Sequence, residues 1–284
     1  MSQPQAVREV WRGLDCTRIT LPHGDNVRVA DFGAQVLSWT ARGRERLFLS
    51  ERAVLDGSAA IRGGVPVCFP QFNQRGPAAG LPKHGFARNL PWQAGALELA
   101  GKGARLTLRL CSSAASHARW PEAFALALVL DLQPNSLRIS LQVRNQGDTP
   151  WAFTGALHSY LAVDDVQQAW LTGLQGQPEW DAVRDAHGQA SAQLRFGSEF
   201  DRVYTASLAP LVLHYGSETL TISQSPEWAQ TVVWNPGAQL CATLADMERE
   251  GWRQMLCVEA AQVYTPISVA PGQTWQGWQQ LTVG

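Results

Sequence analysis

The sequence predicts an all-β protein, a large antiparallel β-sandwich that forms one domain over residues 1–284. Apolar residues recur at every second position in many short segments, and this period is typical of strands rather than helices. Turn-forming residues separate the segments, while no repeat, low-complexity linker or shift in composition marks a domain boundary. With 284 residues and 45% hydrophobic content, the chain can bury a sizeable core.

The first half of the chain predicts successive antiparallel strands. Residues 17–50 consist of short alternating segments separated by turn signals such as Pro22 and Gly43, which predicts a meander. Residues 104–111 and 124–132 each place leucines on one face. The next segment, residues 135–145, alternates apolar and polar side chains after turn-forming residues, and therefore predicts a hairpin.

The second half continues the pattern with one irregular region. Residues 151–160 are mostly apolar and predict a buried strand that carries His158. Residues 164–202 are polar and predict loops with short edge strands, after which strand-like segments resume. The best candidate for a short helix is residues 244–255.

Composition excludes several classes of function. A net charge of −1 and a pI near 6.6 argue against nucleic-acid binding. The N-terminus lacks the apolar region of a signal peptide and no apolar run is long enough to span a bilayer, so we expect a cytoplasmic protein, with no membrane partner. Five cysteines without a CxxC pair are typical of reduced, buried thiols. We expect a monomer.

Cofactor and metal motifs are also missing from the sequence. It contains no P-loop, no dinucleotide fingerprint, no serine-hydrolase elbow and no HExxH. The six histidines show no short ligand spacing, which makes a metal enzyme the least favoured class. We therefore expect no cofactor and no bound metal.

A basic loop stands out between residues 57 and 97, which contain no Asp or Glu. The loop carries Arg62, Arg75, Lys83 and Arg88. One interpretation is a solvated loop whose acidic partners come from elsewhere in the chain. The other is a site for a small anion such as a phosphate or carboxylate, because arginine offers fixed, forked donors to these groups.

Two polar residues interrupt apolar strand segments. Glu259 lies in MLCVEAA, where a buried carboxylate must be paired, hydrogen-bonded, or held in a cleft with a raised pKa that suits general base catalysis. His158 lies in WAFTGALHSY, and its alternatives are a satisfied core histidine or a catalytic group. The residues alone leave both choices open.

Three further features are weaker signals. His84 is flanked by cations in the basic loop, which favours a neutral imidazole with a lowered pKa. Asp201 adjoins Arg202, so a simple surface ion pair is the alternative to a site role. The chain has 12 tryptophans, which can form the floor of a sugar site, although core packing explains them equally.

Six segments together give the sequence a family resemblance. In chain order they read IRGGVPVCFPQF, LPKHGFAR, ALHSYLAV, EFDRVY, VVWNPG and MLCVEAA, and they resemble the hexose-6-phosphate mutarotases of the aldose 1-epimerase superfamily over nearly the whole chain. The resemblance implies a galactose-mutarotase-like β-sandwich. It also implies interconversion of the α and β anomers of a phosphorylated aldohexose, typically glucose 6-phosphate, without a cofactor.

The resemblance also implies roles for single residues. Glu259 becomes the general base that takes the anomeric hydroxyl proton, and His158 the general acid that protonates the ring oxygen. His84 and Asp201 would bind sugar hydroxyls or the ring oxygen, while Arg62 and Arg88 are the candidates for the phosphate.

Two departures from the family pattern bear on the phosphate. After WNP, relatives carry an aromatic residue and then Glu-Lys, whereas this chain has Gly237, Ala238, Gln239 and Leu240. After Phe72, where a glycine is usual, the chain has Asn73, Gln74 and Arg75, and Arg75 is a candidate to replace the missing cation. The alternatives are a mutarotase for unphosphorylated aldoses and a carbohydrate-binding sandwich without catalysis.

Overall fold

The N-terminal strands form their own sheet. The computed structural model describes residues 3–76 and 80–284. Five strands pair in sequential order, as expected for a meander: β1 (Gln5–Trp11), β2 (Leu14–Thr20), β3 (Asn26–Ala30), β4 (Val36–Ala41) and β5 (Arg44–Glu45).

Two larger sheets contain the other strands of the described chain. In chain order these strands are β6 (Val67–Cys68), β7 (Gln93–Ala94), β8 (Glu98–Ala100), β9 (Gly103–Cys111), β10 (Phe124–Gln133), β11 (Ser136–Asn145), β12 (Trp151–Leu157), β13 (Tyr160–Ala162), β14 (Trp170–Thr172), β15 (Pro178–Asp181), β16 (Ala186–Gln189), β17 (Leu194–Arg195), β18 (Phe200–Thr205), β19 (Leu211–Tyr215), β20 (Glu218–Gln224), β21 (Gln230–Asn235), β22 (Met255–Val269) and β23 (Thr274–Val283). The first large sheet has the order β17-β14-β19-β20-β23-β11-β10-β9-β7, with β8 paired to β9. The second has the order β16-β15-β18-β21-β22-β12-β6, with β13 paired to β22, and we call it the site sheet.

These antiparallel sheets confirm the predicted fold class. The predicted hairpin is β10 and β11, paired from Phe124 opposite Asn145 to Gln133 opposite Ser136. The short strands β14 to β17 occupy the polar region, as expected; β16 and β17 are edge strands, whereas β14 and β15 each pair with two neighbours.

The two large sheets pack face to face. In β22, Leu256, Val258 and Ala260 belong to the main apolar core, which also contains the leucine faces of β9, β10 and β11. Because side chains alternate along a strand, Glu259 points to the opposite face of the site sheet. The side chain of Gln279 on β23 links the layers, because its Nε2 donates to the Val258 carbonyl oxygen at 3.0 Å.

The predicted helix over residues 244–255 is wrong. The short α-helices in the described residues are α1 (Ala114–His117) and α2 (Gly237–Cys241), and 3-10 turns occur at Ala87–Asn89, Val166–Gln168 and Gly251–Gln254. The Asn235 side chain donates to the carbonyl oxygens of Trp252 at 2.7 Å and Met255 at 2.8 Å, which ties this segment to β21 instead of letting it form a helix. None of these helices has the length and apolar character needed to cross a membrane.

The predicted single strand over residues 151–160 is divided in two. Its register against β22 shifts between Phe153 and Gly155, and the strand stops at Leu157 before β13 begins at Tyr160. The Ser159 hydroxyl donates to Gln279 Oε1 at 2.5 Å, so the Ser159 side chain points toward β23 in the first large sheet. This break leaves His158 on the outer face of the site sheet.

Candidate active site

A cleft of about 280 Å³ opens on the outer face of the site sheet. Strands β18, β21 and β22 form its floor, and the part of the basic loop that follows β6 covers one side. Residues 77–79 of this loop lie outside the described residues. The residues that line the cleft are Arg62, Phe72, Asn73, Arg75, Lys83, His84, His158, Trp180, Ala182, Glu199, Asp201, Val203, Val232, Trp234, Leu240, Leu244, Glu259 and Val263. Six of the seven predicted site residues are therefore brought together, although they come from distant parts of the chain.

His158 and Glu259 face each other in this cleft. The distance from His158 Nδ1 to Glu259 Oε1 is 3.5 Å. Both residues are buried, with 7% and 1% of their surface exposed. Within the described chain, neither His158 Nδ1 nor Glu259 Oε2 has a hydrogen-bond partner. The unsatisfied atoms are costly in a buried site, and they indicate groups kept free for a bound molecule.

The surroundings shift the two pKa values in opposite directions. Burial, followed by the negative charge of Asp201, raises the pKa of Glu259 well above its usual value. Burial, followed by the positive charges of Arg88 and Arg62, lowers the pKa of His158 well below its usual value. An ionised Glu259 is thus a strong base and a protonated His158 a strong acid, which are the properties that acid–base catalysis requires.

His84 is held in a defined orientation by the basic loop. The backbone N–H of Asn73 donates to the ring Nδ1 of His84 at 3.2 Å, and the backbone N–H of His84 donates to the Asn73 carbonyl oxygen at 2.7 Å. Because Nδ1 accepts a hydrogen bond, the proton of the neutral ring resides on Nε2. Burial, followed by the nearby His158 and the cations of the loop, lowers the pKa of His84, as the sequence predicts.

Arg62 lines the cleft with its charge already balanced. Its Nε lies 3.2 Å from Asp246 Oδ2, and its Nη1 donates to the Tyr160 hydroxyl at 3.1 Å. The Tyr160 ring stacks on His158 with the ring centroids 4.8 Å apart. Arg62 therefore stabilises the ring that supports His158 as well as facing the cleft.

Arg75 and Lys83 differ from Arg62 in that no acidic residue of the described chain balances their charge. Both line the cleft, and neither forms a salt bridge with any residue in the described ranges. The Arg75 guanidinium lies over the Trp180 ring, with its Cζ 4.6 Å from the ring centroid. This cation–π contact orients Arg75 without neutralising its charge.

Arg88 is the predicted site residue that does not line the cleft. Its Nη2 donates to the Lys83 carbonyl oxygen at 2.7 Å, so its direct contact is with the basic loop itself. The charge still reaches the site, since it lowers the pKa of His158.

Asp201 lies on β18 in the floor of the cleft. Arg202 pairs with Glu179 at 3.0 Å and with Asp181 at 3.2 Å, both on β15, and not with its neighbour Asp201. Burial raises the pKa of Asp201 to about 6. The ion pair considered from the sequence is therefore replaced by a carboxyl group that faces the site.

Several lining residues were not identified from the sequence. Lys83 was visible only as one of the loop cations, and Trp180 lies in the polar region without any local signal. Trp234 faces the cleft because it alternates with Val233 on β21. The many tryptophans gave a general hint of a sugar site, but no pattern indicated which of them line it.

One donor set could hold a metal ion. His158, Cys257 and Glu259 each offer one ligand atom, and the three atoms lie within 4.8 Å of one another. Histidine spacing could not reveal this set, because it contains one histidine, His158, which lies about a hundred residues before Cys257 and Glu259 in the sequence.

The antiparallel β-sandwich holds an imidazole–carboxyl pair in an open cleft, an arrangement suited to an enzyme that moves protons. The chain belongs to the aldose 1-epimerase family, whose model matches residues 15–282, and it is an isomerase. A Salmonella typhimurium relative named "Putative glucose-6-phosphate 1-epimerase" is 38% identical over 240 residues, which cover 82% of this chain and 79% of the relative. A relative of the same name from Cenchrus ciliaris is 32% identical over 260 residues, covering 87% of this chain and 78% of its own.

Solved structures agree with this assignment. The crystal structure of a Salmonella typhimurium protein described as a "putative mutarotase" has a TM-score of 0.89 at 32% identity, and the match covers 98% of this chain and 93% of the other. Galactose 1-epimerase from Lactobacillus acidophilus has a TM-score of 0.77 at 14% identity, covering 100% and 99%, and shares the fold.

Proposed function

We propose that this enzyme interconverts the α and β anomers of an aldohexose 6-phosphate, with glucose 6-phosphate as the first substrate to test. The observation that carries the proposal is the His158–Glu259 pair, 3.5 Å apart, in the same cleft as Arg75 and Lys83, two cations without salt bridges to the described residues. The names of the relatives at 32% and 38% identity point to the same substrate.

In the proposed reaction His158 and Glu259 act as an acid–base pair. Glu259 as the carboxylate removes the proton of the anomeric hydroxyl, while protonated His158 donates its proton to the ring oxygen. The bond between C1 and the ring oxygen breaks and the open-chain aldehyde forms. Rotation about C1–C2 presents the other carbonyl face, and closure returns both protons along the reverse path.

The proton balance of this cycle fits the pair. Ring opening converts the carboxylate and imidazolium into a carboxylic acid and a neutral imidazole, so the net charge of the pair does not change. The raised pKa of Glu259 and the lowered pKa of His158 favour the neutral form in the resting protein. Transfer of one proton from Glu259 to His158 converts this neutral form into the carboxylate and imidazolium that open the ring, so no proton has to come from or leave to solvent.

Sugar recognition is assigned to the groups around the pair. The proposed His84 tautomer carries its proton on Nε2, so the ring can donate to a sugar oxygen, and Asp201 can accept from sugar hydroxyls. Trp180 and Trp234 offer aromatic surfaces for the apolar C–H faces of the ring.

The anionic end of the substrate is assigned to Arg75 and Lys83. Arg62 is the third cation of the cleft, but Asp246 already balances its charge at 3.2 Å. Arg75 stands where the sequence departs from the family pattern, which supports its role as the replacement for the missing lysine after WNP. Charge-assisted hydrogen bonds from these side chains would fix the phosphate and orient the ring over the pair.

The test compares two substrates that differ only in the phosphate. Exchange between anomers, measured by magnetization transfer in NMR, should be accelerated by the enzyme for glucose 6-phosphate, with kcat/KM at least tenfold higher than for glucose. Equal or higher values for glucose would favour the mutarotase of unphosphorylated aldoses. Sugar binding without any acceleration would indicate a binding protein and end the proposal.

A further inference from the structure

A buried thiol lies directly beside the acid–base pair. Cys257 precedes Glu259 by two residues on β22, so both side chains lie on the same face of that strand. Tyr160 pairs with Cys257 across β13 and β22, and this pairing brings His158, two residues before Tyr160, to the same place. The donor atoms of His158, Cys257 and Glu259 lie within 4.8 Å of one another.

Two atoms of this cluster are unsatisfied. Neither His158 Nδ1 nor Glu259 Oε2 has a hydrogen-bond partner in the part of the chain that the structure describes, and both residues are more than nine-tenths buried. The 3.5 Å between His158 Nδ1 and Glu259 Oε1 is close to the edge of about 3.3 Å expected in a zinc tetrahedron with nitrogen and oxygen ligands.

We propose that His158, Cys257 and Glu259 bind one thiophilic divalent cation, Zn²⁺ or Cd²⁺, in competition with the sugar. A thiolate with an imidazole selects such ions over Mg²⁺ or Ca²⁺, which prefer oxygen ligands. The cation replaces the protons of the Cys257 thiol and of the Glu259 carboxyl group, which leave to solvent, and a water completes the coordination from the cleft. With both catalytic groups occupied as ligands, the pair can no longer transfer protons, so the site is inhibitory.

The charges of the cleft set a limit on this binding. The positive charges of Arg62, Arg75 and Lys83 repel the divalent cation in the empty cleft, whereas Asp201 and Glu199 attract it. A sugar phosphate would bring its own negative charge to these basic side chains, but its ring needs the His158 and Glu259 atoms that the cation holds as ligands. The cation and the substrate therefore exclude each other, and the inhibition should appear in KM.

A Cd²⁺ titration tests the site without relying on any substrate. The cadmium–thiolate bond absorbs in the ultraviolet, and the titration should be done on a Cys111→Ser background because Cys111 is exposed. We expect a band that saturates at one ion per chain, is lost in Cys257→Ser and persists in Cys68→Ser. Cys68 is the matched control, since it is also fully buried, on β6 of the same sheet.

Two further measurements extend the test. Glu259→Gln should keep the band but require at least tenfold more Cd²⁺ for half-saturation, and Cys257→Ala provides a second variant if Cys257→Ser does not fold. In kinetic assays, Cd²⁺ should raise the apparent KM severalfold, and the effect, relative to each variant's own uninhibited rate, should vanish with Cys257. A band that persists without Cys257, or no band at one equivalent, would overturn the proposal. Failure of the sugar assay alone would count against the proposed function and not against the cation site.

Discussion

His158 Nδ1 lies 3.5 Å from Glu259 Oε1, although the two residues are about a hundred positions apart in the sequence. The break between β12 and β13 turns His158 toward the cleft, while alternation along β22 turns Glu259 to the same side. Burial then moves their pKa values in opposite directions. A single feature, burial at one face of the site sheet, therefore produces a strong acid and a strong base together.

The first prediction concerns Glu259→Gln. The amide keeps the size of the side chain but cannot take the anomeric proton, so we expect kcat to fall roughly 10²–10⁴-fold with little change in KM. NMR exchange between anomers measures the loss. Glu98→Gln, at an exposed position of β8 in the other large sheet, is the control and should leave the rate unchanged. A kcat within threefold of the parent value would contradict the role of Glu259.

The second prediction concerns Arg75→Ala and Lys83→Ala. Each substitution removes a charge-assisted hydrogen bond of about 1.5–3 kcal/mol, so KM for glucose 6-phosphate should rise roughly 10- to 100-fold. KM for unphosphorylated glucose should stay the same. Arg105→Ala is the matched control, because Arg105 lies on β9 and pairs with Asp131 away from the cleft. An unchanged KM in Arg75→Ala would remove this residue from the phosphate site.

The third prediction is a pH dependence of stability caused by Asp201. Because burial raises its pKa from 3.8 to about 6, the folded state holds a proton between these values that the unfolded state has released. The stability contributed by Asp201 therefore falls as pH rises through this window. We expect Asp201→Asn to be more resistant to urea than the parent at pH 7.5, and no more resistant at pH 3.5.

The control for this comparison is Asp148→Asn, at an exposed position of a turn. It should change urea resistance by less than about 0.5 kcal/mol at either pH. If Asp201→Asn has the same effect at both pH values, packing rather than charge determines the difference.

Local patterns predicted the strands well because each pattern depends on its own segment. The β10–β11 hairpin, for example, follows from alternation and a turn alone. The helix over residues 244–255 was wrong because the deciding contact, from Asn235 to the carbonyl oxygens of Trp252 and Met255, is tertiary. Strand patterns alone could not have shown that the segment around His158 is divided.

The site residues also differ in whether a local sequence pattern or a tertiary contact determines their surroundings. Glu259 was conspicuous as a carboxyl group in an apolar strand, and the structure places it in the cleft. Arg88 and Arg62 were equally basic in the sequence, yet one contacts the Lys83 carbonyl oxygen and the other is balanced by Asp246. The acidic partner of a cation can lie anywhere in the chain, and only the folded structure shows which cations of the loop remain without one.

The last prediction tests whether the basic loop must keep its path for catalysis. Gly85 follows His84 and has φ +70°, and a Cβ there would lie 2.1 Å from the Phe69 carbonyl oxygen. Gly80, in the same loop, has φ +84°, but a Cβ at this position would meet no described atom within 4 Å beyond its chain neighbours. Gly80→Ala should therefore cost only the strain of a left-handed alanine, about 1–2 kcal/mol.

Gly85→Ala adds a collision with backbone that no side-chain rotation can relieve. We expect a larger loss of stability in urea than for Gly80→Ala, together with a fall in kcat, because the adjacent His84 and its hydrogen bonds to Asn73 must move. Urea unfolding and anomer exchange, measured on both variants, check the two effects. If Gly85→Ala and Gly80→Ala lose the same stability and retain the same kcat, the contact between Gly85 and Phe69 does not position His84.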